Sequence, residues 1–511
     1  MPNDYSNKYS KCLVMILSNC SQIMEHGNRR NLYLITLAVS VAFIALGVSS
    51  SWPTLALPKF KNNETNVDIN ENEVATLLSF SPVGFAAGSL ATRYIADRFG
   101  RRATILGSAV PFAIGSVIVL LTVKAWLLYI TIFSWQCGTG MISTVIGYYF
   151  TEIADKDVRA TLQSITGFTF KFGNLIIMIL GPFISYQSLN FIMIVLPIIF
   201  FIMCWWIPET PYYCLKSGNI NAARRSLRIL RGYKNEKDLE DELQALEADV
   251  KNEMSHSSSI KELFTKPQYR KALIIATGLR MAQIMTGGVL IKQYLGWIMD
   301  ETKLNMEKSL VFIIYGSITF VVAMMSSVLV DRVGRRPLLV YSFIGTGIAL
   351  AMAGVYFLLQ EVVQIETTTL STYSFLPFTG IILSTVISTL GFNSLIYIIP
   401  AEIFPLNVKA IAMTYLAIFS CVLAFIVARS YQVVKNACGL TTIFFIFAAF
   451  AIGGGVFCYY YVIETKGKNL RDIQIELQGD VYNDVKLDDK IDGIESGDEK
   501  DLELKELKSD K

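Results

Sequence analysis

The chain has 511 residues, of which 53% are apolar and only 17% charged, with a formal net charge of +3. That balance excludes the few soluble domains that length alone would suggest, and a charge so small and so confined to loops excludes a nucleic-acid partner. The eight cysteines are scattered, several of them inside apolar segments (Cys137, Cys204, Cys421, Cys458), and without CxxC or Cys/His spacing they read as small packing residues rather than disulfides or metal ligands.

About 20 apolar residues cross a bilayer as one helix, and the chain offers about twelve such runs. Residues 1–30 form a polar, basic arm ending in Arg29-Arg30. It reads as cytosolic, with no cleavable signal peptide evident, so the first span at 32–56 would be its own signal. The loop that follows carries Asn63-Glu64-Thr65, an N-glycosylation acceptor on the side that charge counting places outside. Asn19-Cys20-Ser21 fits the same pattern but lies in the cytosolic arm and should stay unmodified. Span 2, at 74–96, holds Gly84 and Gly88 at the spacing that lets two helices approach closely. Spans 3 to 6 follow at 103–123, 126–150, 161–185 and 188–207.

Between the sixth and seventh spans the composition changes. Residues 221–232 read as a basic amphipathic helix and 236–254 as an acidic one, with Leu239, Leu243 and Leu246 on one stripe. The second set of spans falls at 271–299, 309–330, 337–358, 377–400, 411–434 and 441–463. The expected divisions are an arm at 1–30, a six-helix half at 31–207, a cytosolic helical linker at 208–269, a second half at 270–463 and an acidic tail at 464–511. Beyond about residue 479 the charged, aromatic-poor tail should be disordered, and it is a candidate docking segment for a cytosolic partner.

Three short charged motifs recur between the halves. Asp97-Arg98-Phe99-Gly100-Arg101-Arg102 returns as Asp331-Arg332-Val333-Gly334-Arg335-Arg336, Glu152 to Arg159 is matched by Glu402 to Lys409, and Pro208-Glu209-Thr210 by Ile463-Glu464-Thr465. Separations of roughly 235 to 255 residues fit a duplicated six-plus-six bundle. Short loops rich in Arg and Lys stay inside, which places both basic motifs, the linker and both termini in the cytosol. The fold class is an all-α membrane protein of twelve transmembrane helices.

These motifs, with Pro208-Glu209-Thr210-Pro211, Pro400-Ala401-Glu402-Ile403-Phe404-Pro405 and Glu464-Thr465-Lys466-Gly467-Lys468 before Leu470, resemble the sugar porter branch of the major facilitator superfamily. Among its members the resemblance is to the insect facilitated trehalose and hexose transporters, over Leu32 to about Leu477. It implies the major facilitator fold, a plasma-membrane location, a small sugar as substrate and the bilayer as the surrounding medium, with no cofactor.

A carrier that exposes its site to one side at a time needs contacts that form in one state and break in the other. The motifs supply candidates: Asp97, Arg98, Arg101, Arg102, Glu152, Arg159 and Glu209 in the first half, with Asp331, Arg332, Arg335, Arg336, Glu402, Lys409 and Glu464 in the second. The plainer alternative is that the arginines only set topology, but that accounts for the basic count and not for acids at matching positions. Gly100 and Gly334 permit the tight reversal between helices.

In sugar porters the ligand lies between the halves near the midplane, held by amides and aromatic side chains. The family's seventh-span run corresponds to Gln283-Ile284-Met285-Thr286-Gly287-Gly288-Val289-Leu290-Ile291-Lys292-Gln293-Tyr294, in which Gln283, Thr286, Gly287 and Tyr294 fit, while Ile284 and Val289 replace a Gln and an Asn. Gly167 stands where the fifth span of the family has Gln, and Ser420-Cys421 where the eleventh has Asn-Trp. A polar ligand left unpaired loses about 1–3 kcal/mol per group, so a glucose site copied from the family would be weakened. Candidate substrate ligands are Gln283, Thr286, Gln293, Tyr294, Thr319, Asn393, Tyr397 and Lys292; each is alternatively a helix-packing residue. Lys171, Arg280, Lys292 and Arg429 lie within predicted spans, where ionisable groups are costly and point to function unless they snorkel to an interface.

The expected function is facilitated diffusion of a sugar. No Asp or Glu occurs between Arg30 and Glu64, so span 1 lacks the carboxylate that proton-coupled members of the family use there. The alternatives are a carrier of an organic anion or other small solute on the same scaffold, through a drifted site containing Lys292, and a non-transporting sugar sensor, the latter disfavoured by the short tail. With two histidines, both in predicted cytosolic segments, and no nucleophile-elbow, Walker or dinucleotide motif in a plausible context, the chain does not read as an enzyme.

Overall fold

The computed structural model describes residues 30–466 apart from 63, 66, 155, 232–235, 256–262, 265–266, 303–305, 367–369, 371 and 405, together with 468, 473 and 476. The glycosylation acceptor Asn63, nearly all of the arm and the tail beyond 479 therefore lie outside the described residues. So do the side chains of Asp331 and Arg332.

Apolar runs with few helix breakers give one long helix after another. The first half comprises α1 (Arg30–Lys61), α2 (Glu71–Phe99), α3 (Arg101–Gly107), α4 (Ala109–Leu121), α5 (Ala125–Ile153), α6 (Lys156–Leu180) and α7 (Tyr186–Cys204). The linker holds α8 (Pro211–Lys216), α9 (Ile220–Arg231) and α10 (Glu236–Ser255). The second half comprises α11 (Pro267–Met285), α12 (Gly288–Gln293), α13 (Leu295–Glu301), α14 (Lys308–Val333), α15 (Arg335–Glu361), α16 (Phe375–Leu390), α17 (Phe392–Ile403) and α18 (Leu406–Tyr461).

By length and composition 10 helical segments are long and apolar enough to cross a membrane. Two adjustments bring these to the twelve expected. The 29-residue α5 is long enough to span, but its Trp, Tyr, Gly and Gln residues dilute its hydropathy. The 56-residue α18 is two spans, divided at Gly439, which has φ 77°. Glu361 closes that break by accepting from Leu440 N, Thr441 N and the Thr441 hydroxyl at 3.0, 3.1 and 2.7 Å.

Within the first half, α1 packs on α6 and α7, and α2 on α5. A Cβ on Gly84 or Gly88 would sit 2.4 and 2.0 Å from the carbonyl oxygens of Phe133 and Cys137. Only glycine lets α2 and α5 touch backbone to backbone, which is how helices associate where lipid supplies no hydrophobic drive. In the second half α15 packs on α16 and α18. The halves meet where α2 crosses α18, α6 runs beside α14, and α1 touches α12 and α13.

The linker is a small bundle at one end of the molecule. Leu239 and Leu243 of α10 bury against Ala223 and Leu227 of α9 and Cys214 of α8, with Leu246 partly buried beside them. Arg224 pairs with Glu240 at 2.8 Å, and Arg228 pairs with Glu236, so the basic and acidic helices predicted from charge pattern hold one another.

Candidate functional site

At the linker end, the two copies of the basic motif build the same device. Gly100 and Gly334 adopt φ 98° and 103° with extended ψ, a conformation essentially closed to other residues. Each reversal aims the backbone N–H groups of the next helix outward, and a carboxylate takes them. Glu209 accepts from Arg101 N and Arg102 N at 2.9 and 3.1 Å; Glu464 accepts from Arg335 N and Arg336 N at 3.0 and 3.1 Å. A carboxylate at a helix N-terminus is favoured by the unpaired N–H groups and by the helix dipole.

The second motif adds an ion pair. Arg101 binds Glu152 through Nε at 2.9 Å and Nη2 at 2.8 Å, with the Thr210 hydroxyl donating to the same carboxylate at 2.5 Å. Arg335 reaches Glu402 at 3.4 Å, and Thr465 donates to Glu402 at 2.5 Å. Four further cations donate to carbonyls at helix C-termini. Arg102 and Arg336 donate to the Trp205 and Tyr459 carbonyls at 2.8 and 2.6 Å, and Arg159 and Lys409 to the Thr151 and Ala401 carbonyls at 2.9 and 2.7 Å. Arg98 donates to the Tyr94 hydroxyl at 2.7 Å, and Asp97 is shared by Arg101 and Lys216. Every one of these bonds stays within one half or joins that half to the linker.

Burial on its own would raise the Glu464 carboxyl. The N–H groups of Lys466, Arg335 and Arg336, with the Arg335 charge, outweigh it and hold the group below the ordinary carboxylate value. Lys409 is lowered by its burial, with Arg159 opposing its charge from the other half and Glu402 supporting it.

The end opposite the linker is different, because there the bonds cross between halves. The Asn70–Glu73 capping box starts α2 and sets Glu71 on its first turn. Glu71 accepts from Gln432 of α18 at 2.6 Å and lies 3.7 Å from Lys435, which is also 3.7 Å from Glu301. Arg429 donates to Thr76 Oγ1 at 2.8 Å, Trp297 Nε1 to the Leu57 carbonyl at 3.0 Å, and Lys61 lies 3.3 Å from Asp300. The molecule is therefore closed at this end. No sequence signal pointed to Glu71, Gln432, Lys435 or Glu301, since nothing in one sequence pairs residues so far apart.

Between the ends lies the seventh-span run, which is not one helix. It breaks at Thr286–Gly287, where Gly287 is left-handed at φ 68°, and again at Tyr294. Broken helices at mid-membrane free backbone groups for a ligand only where protein or a cavity surrounds them. Just before the break Gln283 Nε2 donates to Asn393 Oδ1 at 3.0 Å, next to the α16–α17 break at Gly391. Thr286 donates to the Gln283 carbonyl at 2.6 Å. Tyr397, 57% exposed, lies one turn beyond Asn393, with the Arg280 guanidinium 4.1 Å over its ring. After the break, Lys292 Nζ donates to Asn174 Oδ1 of α6 at 2.8 Å, Ser51 donates to the same oxygen, and Thr54 donates to the Lys292 carbonyl at 3.2 Å. The other candidates are more internal. Thr319 bonds back to Tyr315 O at 2.7 Å, Gln293 is buried, and Tyr294 stacks on Tyr431 at 4.4 Å. Asn174, Ser51 and Thr54 went unnoticed in the sequence because small polar residues are common in packed membrane helices.

Residues 49–477 match the family model described as sugar (and other) transporter. Among curated relatives, the chain is 28% identical over 449 residues to the facilitated trehalose transporter Tret1 of Bombyx mori, covering 87% of this chain and 86% of that one. It is 28% identical over 452 residues to Tret1-1 of Drosophila simulans, covering 88% of this chain but 52% of the relative, so it spans about half that protein's length. The inward-open structure of the xylose transporter XylE from E. coli superposes with a TM-score of 0.70 at 17% identity, over 86% of this chain and 99% of that one. The proton:xylose symporter XylE bound to 6-bromo-6-deoxy-D-glucose, a major facilitator superfamily protein, gives 0.65 at 17% identity, over 88% and 100%. At such identity the likeness establishes the fold, two six-helix halves joined by a helical linker. With its family model matched over most of its length, the chain belongs to the sugar (and other) transporter family, a family of carriers rather than enzymes.

Proposed function

We propose that the protein carries a sugar, trehalose or a hexose, down its gradient across the plasma membrane by alternating access. The linker and both termini face the cytosol, so the structure is the inward-facing state, sealed toward the outside. The observation that carries this reading is the asymmetry of the bonds: those at the outer end cross between halves, and among the described residues those of the duplicated clusters at the cytosolic end do not. Two rigid halves that part at one end and meet at the other are what alternating access requires. The relatives named as facilitated trehalose transporters support a sugar substrate.

Uniport follows from the distribution of acids. Residues 31–63, 158–208, 270–299, 308–330, 375–401 and 406–463 contain no Asp or Glu, and a proton-coupled carrier needs an acid within its spans. The substrate would meet the Gln283–Asn393 amide pair, Thr286 and Tyr397 at the breaks, with Lys292 above them and Gln293, Tyr294 and Thr319 packed behind. Asp97, Arg101, Glu152, Glu209 and their counterparts Asp331, Arg335, Glu402 and Glu464 act as the cytosolic gate, docking when that end closes. The test is radiolabelled uptake of trehalose, glucose and fructose in cells lacking hexose carriers, with and without a protonophore. Saturable uptake insensitive to the protonophore is expected; collapse of uptake with the protonophore would overturn uniport, and no uptake by protein shown at the surface would overturn the sugar reading.

A further inference from the structure

The spans of a neutral-sugar uniporter have no need of charge, yet this chain places cations deep in its fifth and seventh spans, 161–185 and 271–299, which contain no Asp or Glu. Arg429 shows what an innocuous cation looks like: it lies near a helix end and is spent on Thr76 and the Asn72 carbonyl. Lys171, Arg280 and Lys292 are not disposed of in this way. Lys171 is nine residues from the outer end of α6, about 14 Å deep, and one turn before Asn174, the residue of the same helix that meets Lys292 across the half interface. Among the described residues Lys171 has no hydrogen-bond or ion-pair partner. Lys292 is held by one neutral amide oxygen, Asn174 Oδ1 at 2.8 Å. Arg280 is only 7% exposed; its guanidinium faces the Tyr397 ring and its Nε has no acceptor.

Two like charges brought together out of water repel, and an amide dipole compensates them poorly. An anion placed between them reverses the sign of both terms. Such a pair, on facing helices of opposite halves and beside the broken span, is an arrangement that favours an anion.

We propose that the site takes a negatively charged monosaccharide, a sugar acid or sugar phosphate, with its charge between Lys171 and Lys292 and its hydroxyls on the Gln283–Asn393 pair. This rests on the sugar reading above and deepens it. Because Lys171 belongs to one half and Lys292 to the other, the anion also ties the halves together in the closed state, so binding and closure are linked. Transport of such a solute carries net charge, and a cytosol at negative potential opposes its entry.

The test uses the full chain in oocytes, with surface protein measured for every variant. In the unaltered protein, unlabelled glucuronate should inhibit labelled glucose entry at concentrations at least tenfold below those needed by glucose, and cationic glucosamine should need more than glucose. Labelled glucuronate or glucose 6-phosphate should enter with a voltage-dependent current, and the better of the two identifies the carboxylate or the phosphate as the natural charge. In Lys292→Gln the ratio of anion to glucose uptake should fall at least tenfold, with Lys292→Arg restoring it. Glucose entry that glucuronate and glucose 6-phosphate neither share nor inhibit would overturn this inference while leaving the sugar carrier standing. Absence of entry by anionic and neutral sugars alike, with protein at the surface, would overturn both.

Discussion

At the linker end Arg101 grips Glu152 inside one half at 2.8 Å, whereas at the far end Gln432 reaches Glu71 across the two halves at 2.6 Å. The first pair is buried, its side chains 7% and 11% exposed; in the second cluster Glu71 is 52% exposed and Lys435 stands 3.7 Å away. Buried pairs cost several kcal/mol to break by removing one partner, while exposed pairs contribute about 0–1 kcal/mol. The strong bonds therefore hold each half together, and the weak ones close the end opposite the linker. A carrier needs that order, because only the bonds between halves break in each cycle.

The linker end also contains an internal comparison, since the second copy of its cluster is looser. Arg335 is 3.4 Å from Glu402, with side chains 17% and 28% exposed. Arg101→Ala should thus be the most damaging change, leaving Glu152 buried and unpaired at a cost of about 3–5 kcal/mol. Thermal unfolding in detergent and surface expression should both fall, and Arg335→Ala should fall less. Equal losses would erase the distinction between the copies.

Glycine at the reversals gives the next effect. Gly100→Ala forces a side chain into a conformation costing about 1–3 kcal/mol, and its Cβ would meet Glu209 Oε2 at 2.3 Å. Gly334→Ala carries similar backbone strain, but its Cβ would lie 3.1 Å from Glu464, so it should unfold at the higher temperature of the two.

Acidity sharpens the comparison further. Because the Glu464 carboxyl is held below its ordinary value, its contribution is fully present above that value and is lost as pH falls through the lowered one. The unfolding gap between the unaltered protein and Glu464→Gln should be constant near neutrality and close only below about pH 4. A gap that closed above pH 5 would contradict the N–H bonding assigned to this carboxylate. The smallest effect on stability is expected from Glu71→Gln, about 1 kcal/mol or less, visible as a several-fold shift toward the state open at the outer end.

Much of this architecture was legible in the sequence because duplication made it redundant. Asp-Arg-x-Gly-Arg-Arg appears twice, and only glycine satisfies the φ near 100° that each copy requires. Gly84 and Gly88 announced the α2–α5 contact for a related reason, since a small residue is the one local feature that reports a close neighbour. The breaks at Gly287 and Gly391 were hidden inside apolar runs that read as continuous spans. The carbonyl acceptors of Arg102 and Arg159 could not be read, because a backbone carbonyl leaves no trace in a sequence. The outer closure was invisible: Glu71 and Gln432 are ordinary residues until the fold brings them together.

Alternating access requires the two ends to open in turn around halves that stay rigid. Spin labels at Asn72 and Cys438 report the outer end, and labels at Phe99 and Val333 the linker end, each pair in a background with the other cysteines replaced. Pulsed electron resonance should show a short outer and a long inner distance in the unaltered protein. In Glu71→Gln the outer distance should lengthen as the inner one shortens. Distances that rise and fall together, or an inner pair that does not respond, would contradict the account.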